Sequence, residues 1–192
     1  MVVATRQSES ILSSGRILDE DKITRALNNA QNLGAEYAEI RLVSETTNTA
    51  SLKDGKLERA IPGQEVGVTM RILADGAWGV HSTSDIDSII DQVEPTYRLA
   101  KAVAARRSPS QPAVGLAEVP VIEDELHWRS VKDVRDTSLD TRIELMLAID
   151  NEAKDHDRIV STSTGWSDEH IHTELMTTAV SYTHLRAHET NQ

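Results

Sequence analysis

Apolar residues near the amino terminus follow first a helical and then a strand period. Between residues 23 and 33 they recur every three or four positions, which predicts a helix. Asp19 or Asp21 is the expected amino-terminal cap of this helix, and Gly34 is expected to end it. From Tyr37 onward apolar and polar residues alternate, as they do in a half-buried strand.

Five short strands are predicted in this region. Asp54-Gly55 and Asp75-Gly76 are type I′ hairpin signals, because both central positions of that turn need a positive φ. Pro62-Gly63 is expected to separate the third strand from the fourth. The pattern therefore predicts an antiparallel meander. Its strands are expected at 37–43, 46–52, 56–61, 66–73 and 77–82.

Helical periodicity returns twice in the remainder of the chain. Ser84 is the expected cap of a helix over 85–107, which Pro95 should kink or divide. Thr137 or Ser138 begins a later helix. The residues expected to be buried are Ile86, Ile89, Ile90, Val93, Tyr97, Ala100 and Val103 in the first helix, and Leu139, Ile143, Met146 and Leu147 in the second.

The last predicted elements are two strands, at 158–164 and 169–176, around a turn at 165–168. The order of elements predicts an α+β fold: an antiparallel β-meander packed against helices, followed by a further helix and strand pair. The expected segments are a flexible amino-terminal stretch at 1–18, an α+β core at 19–107, a linker or extended stretch at 108–130, a helix and strand pair of the same domain at 131–179, and a tail at 180–192.

Charge and composition exclude several kinds of partner. The 192 residues include 20 Lys or Arg and 31 Asp or Glu, so the formal net charge is −11. Nucleic acids and anionic membranes both attract basic surfaces, so neither is an expected partner. Because cysteine is absent, disulfides and cysteine-ligated metals are excluded. No apolar run approaches the ~18–20 residues of a membrane span, and residues 1–15 lack the apolar core of a secretory signal, so we expect a cytoplasmic protein.

Four glycines, at 63, 67, 76 and 79, do not form a phosphate-binding loop. Their spacing matches neither G-x-x-x-x-G-K-[ST] nor G-x-G-x-x-G. Gly67 and Gly79 lie inside predicted strands, where glycine is unfavourable unless another segment packs close to the backbone. We therefore interpret them as determinants of the fold.

Two histidine pairs have spacings that metal ligands use. His170 and His172 share one face of a predicted strand, but a catalytic zinc takes three protein ligands and no third is near at a recognised spacing. A solvated strand face is the interpretation that we favour. His184 and His188, beside Glu189, lie in the tail and are assigned no function. The isolated histidines are at 81, 127 and 156, the last at the charged end of a helix.

Other candidate chemistry is equally sparse. The Ser-rich stretch 161–164 contains no G-x-S-x-G motif. The acidic runs at 19–21 and 123–125 are typical of solvated surface, and the tryptophans at 78, 128 and 166 are too scattered to form a stacking platform. From the residues alone we predict no catalytic, metal-binding or cofactor-binding residue in this chain.

The tail itself is unusual. VSYTHLRAHET, at 180–190, is similar to the in-frame translation of a transposon-type sequencing-library adapter. A scar of this kind has to be excluded from reasoning about fold and function. We therefore expect the natural reading frame to be interrupted near Ala179, with the carboxy-terminal part of the protein missing.

Several motifs resemble the amino-terminal domain of the TldD/PmbA family, once called modulators of DNA gyrase. They are AEYAEIR at 35–41, KDGKLE at 53–58, GVTMRILADGAWG at 67–79 and STS at 82–84. The resemblance extends from about Asp21 to Thr178, and the stretch at 67–79 is its most specific part.

That resemblance implies a zinc metallopeptidase acting on peptides or unfolded proteins. In the family, a TldD-type subunit pairs with a PmbA (TldE)-type subunit around an enclosed cavity, or with an identical one. The TldD-type metal site uses an H-E-x-x-x-H helix in the carboxy-terminal half, and that motif does not occur here. No family catalytic or metal residue is therefore carried onto this chain, and zinc is expected only in the missing half.

Three hypotheses follow from the resemblance. The first is an amino-terminal fragment of a TldD-like metallopeptidase that is inactive alone, and Asp75–Gly79 favours this TldD-type subunit. The second is a non-catalytic PmbA-like scaffold or interaction subunit. The third, direct binding to DNA or gyrase, conflicts with the net charge of −11.

Overall fold

A computed structural model of the chain describes residues 17–108, 110–117, 124–127, 131, 133–178 and 182–186. The α-helices are α1 Glu20–Asn32, α2 Val93–Ala105 and α3 Leu139–Lys154, and short 3-10 helices lie at Asp87–Gln92 and Val134–Asp136. The strands are β1 Tyr37–Lys53, β2 Lys56–Ala74, β3 Ala77–Thr83, β4 Asp124–His127, β5 Ser163–Thr177 and β6 Tyr182–Arg186.

The α+β fold class is confirmed. The strands form one sheet in the order β3-β2-β1-β5-β6-β4, so the first three strands make the predicted meander. β2 and β3 are antiparallel, in a register that runs from Val68 opposite Thr83 to Ala74 opposite Ala77.

The contacts divide the chain into two compact units. Unit 1 contains residues 1–43, 66–126 and 173–185, and unit 2 contains residues 44–65, 127–172 and 186–192. The segment boundaries expected from the sequence remain a prediction. None of the helices in the described part of the chain has the length and apolarity that crossing a membrane requires.

Unit 1 is built around α1, as the periodicity predicts. The Asp19 side chain accepts a hydrogen bond from the Lys22 amide at 3.1 Å and caps the helix, and Gly34 follows its end with a φ of 99°. The inward residues of α1 pack on those of β1 and β2, and each fully buried Leu or Ile contributes about 1.5–3 kcal/mol. This core contains Leu18, Ile23, Ala26, Leu27, Ala30, Ala38, Ile40, Leu42, Val68, Met70, Ile72, Ile89, Val93 and Met176.

Both predicted type I′ turns are present. Asp54 and Gly55 have φ values of 51° and 78°, and Asp75 and Gly76 have values of 51° and 68°. Positive φ at both central positions matches the right-handed twist of the flanking strands, so these turns set the hairpin registers.

The predicted breaks between strands are wrong. Residues 37–43 and 46–52 lie in the single strand β1, and β2 runs through Pro62 and Gly63 without interruption. The reason is the position of β3, which pairs only with Val68–Ala74. Within the described residues, 56–65 therefore form an edge strand, where proline is tolerated.

Residues 85–107 do not form the single helix that the sequence predicts. They contain a 3-10 helix followed by α2, and Ser84 caps neither of them. Pro95 lies in the first turn of α2, where its missing N–H costs no hydrogen bond. Val103, expected to be buried, is 46% exposed.

Unit 2 has a smaller core, in which α3 packs on β1. The Ser138 hydroxyl accepts a hydrogen bond from the Thr141 amide at 3.1 Å, which confirms the predicted start of α3. Ala50, Leu52 and Met146 are the buried apolar residues of this core, and Leu139, Leu147 and Trp166 are partly buried beside them.

The predicted strand pair after α3 is wrong as well. β5 begins at Ser163 and continues to Thr177, so residues 165–168 are strand and 158–162 are not. Alternation explains the difference, because Gly165 and Ser167 face outward while Trp166 and Asp168 lie on the inner side. A glycine within an alternating pattern can thus remain in the strand.

Candidate functional site

Two of the motifs that carry the family resemblance, at 35–41 and 67–79, meet on one face of the sheet in unit 1. Ala38, Ile40 and Leu42 of β1 belong to the core with α1. Because side chains alternate along a strand, Tyr37 and Glu39 project from the opposite face. There they meet Arg71 of β2 and Trp78 of β3. We call Tyr37, Glu39, Arg71 and Trp78 the motif cluster.

Glu39 is the centre of the motif cluster and is only 6% exposed. Its Oε1 accepts a hydrogen bond from the Arg71 Nε at 2.7 Å and forms an ion pair with the Arg71 Nη2 at 2.7 Å. Its Oε2 accepts a hydrogen bond from the Tyr37 hydroxyl at 2.8 Å. Both carboxylate oxygens are therefore satisfied, as a buried charge requires.

Trp78 covers the other side of this network. The Arg71 guanidinium carbon lies 5.1 Å from the centre of the Trp78 ring, within the range of a cation–π interaction. The Tyr37 and Trp78 rings meet edge to face, with centroids 5.9 Å apart and planes at 88°. The two aromatic rings and the ion pair thus form one packed unit.

Burial and hydrogen bonding shift the pKa values of Tyr37, Glu39 and Arg71 in the motif cluster. Burial, followed by the hydrogen bond to Glu39, raises the pKa of Tyr37 to about 12. Burial alone would raise the pKa of Glu39, but the hydrogen bonds from Arg71 and Tyr37 outweigh it and lower that pKa. The hydrogen bond to Glu39 raises the pKa of Arg71. These shifts favour a neutral Tyr37, an ionised Glu39 and a charged Arg71 near neutral pH.

The rest of the motif shapes the adjacent turn. The Gly76 amide donates to the Glu36 Oε1 at 3.0 Å, and Lys101 pairs with the Asp75 Oδ2 at 2.5 Å. A Cβ on Gly79 would lie 2.1 Å from the Thr96 carbonyl oxygen, so α2 packs directly on this glycine. The interpretation of Gly79 as a close-packing position is confirmed. For Gly67 it is wrong, because nothing lies within 4 Å of a Cβ placed there.

A second polar network lies in unit 2, and the sequence pattern did not reveal it. The Arg142 and Asp168 side chains are 4% and 2% exposed, and Arg142 Nη1 lies 3.0 Å from Asp168 Oδ2. The same Oδ2 accepts a hydrogen bond from the Trp166 indole at 2.7 Å, and Oδ1 accepts one from the Asn48 amide at 3.0 Å. The signal for this network is the four-residue spacing of Arg142 from buried Met146, which places both on one face of α3.

Among the described residues, the histidines are not assembled into a metal site. His172 is 7% exposed, so the solvated-face interpretation is wrong for it, and His170 is partly buried. His156 is exposed just beyond α3, as expected. Across the described residues, no three His, Cys, Asp or Glu side chains are placed to hold one metal ion. His184 lies in β6, while His188, Glu189, Pro120 and Trp128 lie outside the described residues.

The motif cluster contains hydrogen-bonding and aromatic groups but no activated nucleophile. Its ion pair and rings can fix the three strands of the meander and present a defined surface, and they perform no proton transfer. The described residues also do not fit a zinc site of three protein ligands, so no hydrolytic step is assigned to them.

Comparisons with known proteins show which proteins this chain resembles. A family model described as PmbA/TldA metallopeptidase domain 1 matches residues 38–107, which include the whole motif cluster except Tyr37. A metalloprotease of Methanocaldococcus jannaschii is 28% identical over 139 residues, which cover 69% of this chain and 29% of that protein.

Two solved structures share the fold. A protein described as a modulator of DNA gyrase from Bacteroides thetaiotaomicron has a TM-score of 0.62 at 20% identity, over 92% of this chain and 39% of that one. TldE from Thermococcus kodakarensis has a TM-score of 0.54 at 12% identity, over 88% and 36% of the two chains.

Residues 38–107 are thus similar to the first domain of the PmbA/TldA metallopeptidases. The chain is similar to members of the TldD/PmbA family. It spans less than a third of the length of the curated relative described above.

Proposed function

We propose that this chain is the amino-terminal domain of a TldD-like metallopeptidase that degrades peptides or unfolded proteins in a TldD/PmbA-type complex. The observation that carries the proposal is the match of residues 38–107 to domain 1 of the family, together with 28% identity to a metalloprotease. In this proposal the zinc-binding half of the enzyme lies outside the chain, the residues 180–192 are an adapter-like scar, and the chain alone is inactive.

The proposed partner is a PmbA/TldE-like or an identical subunit, and the proposed location is the cytoplasm. The similarity to the TldE structure supports the subunit class, although it concerns the fold alone. Nucleic acid and membranes are not proposed partners, because the net charge of −11 disfavours both. A salt-sensitive DNA complex in a gel-shift assay would contradict this part of the proposal.

The similarity to the TldE structure favours a second candidate, a non-catalytic PmbA-like subunit that serves as a scaffold. Sequencing the source genome beyond the codon for Ala179 separates the two. An H-E-x-x-x-H motif in the continued frame supports the TldD-like enzyme, and a full-length frame without it supports the scaffold.

A direct measurement tests the placement of the metal. We expect the 192-residue chain to bind no stoichiometric zinc after dialysis and to cleave no casein or unstructured peptide. Tight one-to-one zinc binding that is abolished by His170→Ala or His172→Ala would contradict the proposal, because it would place the metal site on β5. His156→Ala, at an exposed position beyond α3, is the matched control.

A further inference from the structure

A groove of about 590 Å³ lies next to the motif cluster in unit 1. Trp78 forms one wall of the groove, and Val103, Arg106 and Arg107 at the end of α2 form another. Pro112 and Val114 close the third side. The volume lies inside the range of roughly 300–1,000 Å³ that small-molecule sites occupy.

Backbone contacts hold the third side of the groove in place. The Val114 amide donates to the Gly76 carbonyl at 2.8 Å. Arg107 Nη1 donates to the Asp75 and Gly76 carbonyls, at 3.0 and 2.9 Å. A Cβ on Gly76 would lie 2.6 Å from the Cβ of Ala113, so the segment packs tightly on the β2–β3 turn. The groove is therefore a preformed feature of the fold.

The walls of the groove are mostly apolar and are open to water. Val103 is 46% exposed and Val114 is 39% exposed, and Trp78 is partly exposed beside them. Exposed apolar surface in a concave site favours a ligand with an apolar body, because binding removes that surface from water.

Arg106 is an arginine of the groove that forms no ion pair with another described residue. Arg107 is engaged with backbone carbonyls, and Lys101, earlier on α2, pairs with Asp75. Arg106 is exposed and, among the described residues, makes no salt bridge. A guanidinium binds a carboxylate with two parallel hydrogen bonds, and a single available guanidinium matches one negative charge better than the two charges of a phosphate.

We propose that this groove binds a small amphipathic monocarboxylate, with the apolar body against Trp78 and Val103 and the carboxylate on Arg106. An N-acylated apolar amino acid, which has the chemistry of the carboxyl terminus of a peptide, fits these features. The inference goes beyond the proposed peptidase role and does not depend on it, because the groove is complete within unit 1 and its test measures binding alone.

The test uses the full 192-residue chain labelled with ¹⁵N. N-acetyl-L-leucine and its neutral isostere N-acetyl-L-leucinamide are titrated while the Trp78 indole and Gly76 amide resonances are followed. We expect saturable shifts of both resonances with the acid, and binding of the amide that is at least tenfold weaker, since a hydrogen bond to a charged group is worth that much.

Two variants test whether the preference for the acid over the amide comes from the contact between its carboxylate and Arg106. Arg106→Gln should reduce the acid-to-amide ratio to about one while leaving the spectrum folded, because the residue is exposed. Arg98→Gln is the control, since Arg98 lies on the same helix but pairs with Glu94 and does not line the groove. Equal binding of acid and amide, shifts that do not saturate, or an Arg106→Gln protein that keeps the tenfold preference would each overturn the proposal.

Discussion

Asp168→Asn is the most informative test of how unit 2 is stabilised. The Asp168 carboxylate is 2% exposed and accepts hydrogen bonds or ion-pair contacts from Arg142, Trp166 and Asn48, all between 2.7 and 3.0 Å. An asparagine keeps the shape but brings an N–H₂ group to a site surrounded by donors. It also removes the negative charge that Asp168 places 3.0 Å from the Arg142 guanidinium, which is 4% exposed.

The expected cost is large. Removing one partner of a buried ion pair typically destabilises a protein by about 3–5 kcal/mol, because the remaining charge stays desolvated. The total stability of a domain is about 5–15 kcal/mol, so the loss should be evident at modest denaturant concentration. Urea unfolding followed by circular dichroism measures it.

Asp87→Asn is the matched control. Asp87 also forms an ion pair, with Lys22 at 3.1 Å, but the two side chains are 86% and 43% exposed. A surface pair of this kind contributes about 0–1 kcal/mol. The reasoning is refuted if Asp168→Asn costs less than 1 kcal/mol, or no more than Asp87→Asn does.

A double substitution separates the ion pair from simple packing. Arg142→Met combined with Asp168→Leu removes both charges and keeps apolar volume in the site, and buried pairs replaced in this way often lose little stability. We therefore expect the double variant to be more stable than Asp168→Asn. A double variant that is less stable than the single one would mean that the hydrogen bonds of Trp166 and Asn48 dominate.

Three further predictions follow from single contacts. Gly79→Ala should destabilise the chain by more than about 2 kcal/mol, since the new Cβ would lie 2.1 Å from the Thr96 carbonyl oxygen. Gly165→Ala is the control and should have no such cost, because nothing lies within 4 Å of a Cβ placed there. Thermal unfolding compares the two variants. Tyr37 should titrate at about pH 12 in difference absorbance near 295 nm, against about 10 when unfolded, and Tyr37→Phe should remove that transition. Because folding raises this pKa, the stability due to Tyr37 is complete below pH 10 and is lost as the pH rises towards 12. A stability that stays constant between pH 10 and 12 would contradict the buried hydrogen bond. Ser138→Ala should cost about 1 kcal/mol through loss of the α3 cap, and a cost equal to that of an exposed Ser110→Ala would argue against the cap.

Local signals in the sequence determined much of the fold. The caps at Asp19 and Ser138 and the two Asp-Gly turns are encoded by neighbouring residues, so their geometry follows from local sterics and hydrogen bonding. The inward face of α1 follows from its period for the same reason. The motif residues at 35–41 and 67–79 also indicated the family before any contact was known.

Tertiary structure decided where strands end. Pro62 and Gly165 resemble breaks, yet both lie inside long strands. Whether a proline or glycine interrupts a strand depends on whether a neighbouring strand needs its N–H or its side chain. That neighbour is distant in sequence, so the local pattern cannot contain the answer.

Tertiary structure also decided which charged residues are buried. Glu39, Arg142 and Asp168 look like surface residues in the sequence, because charged side chains are rarely buried without a partner. Their oppositely charged partners lie 26 residues away in Arg142–Asp168 and 32 residues away in Glu39–Arg71, and only folding brings them together. The sequence alone thus determined the local elements and the resemblance to the TldD/PmbA family. The motif cluster and the groove beside it exist only because folding joins β1, β2, β3 and the end of α2.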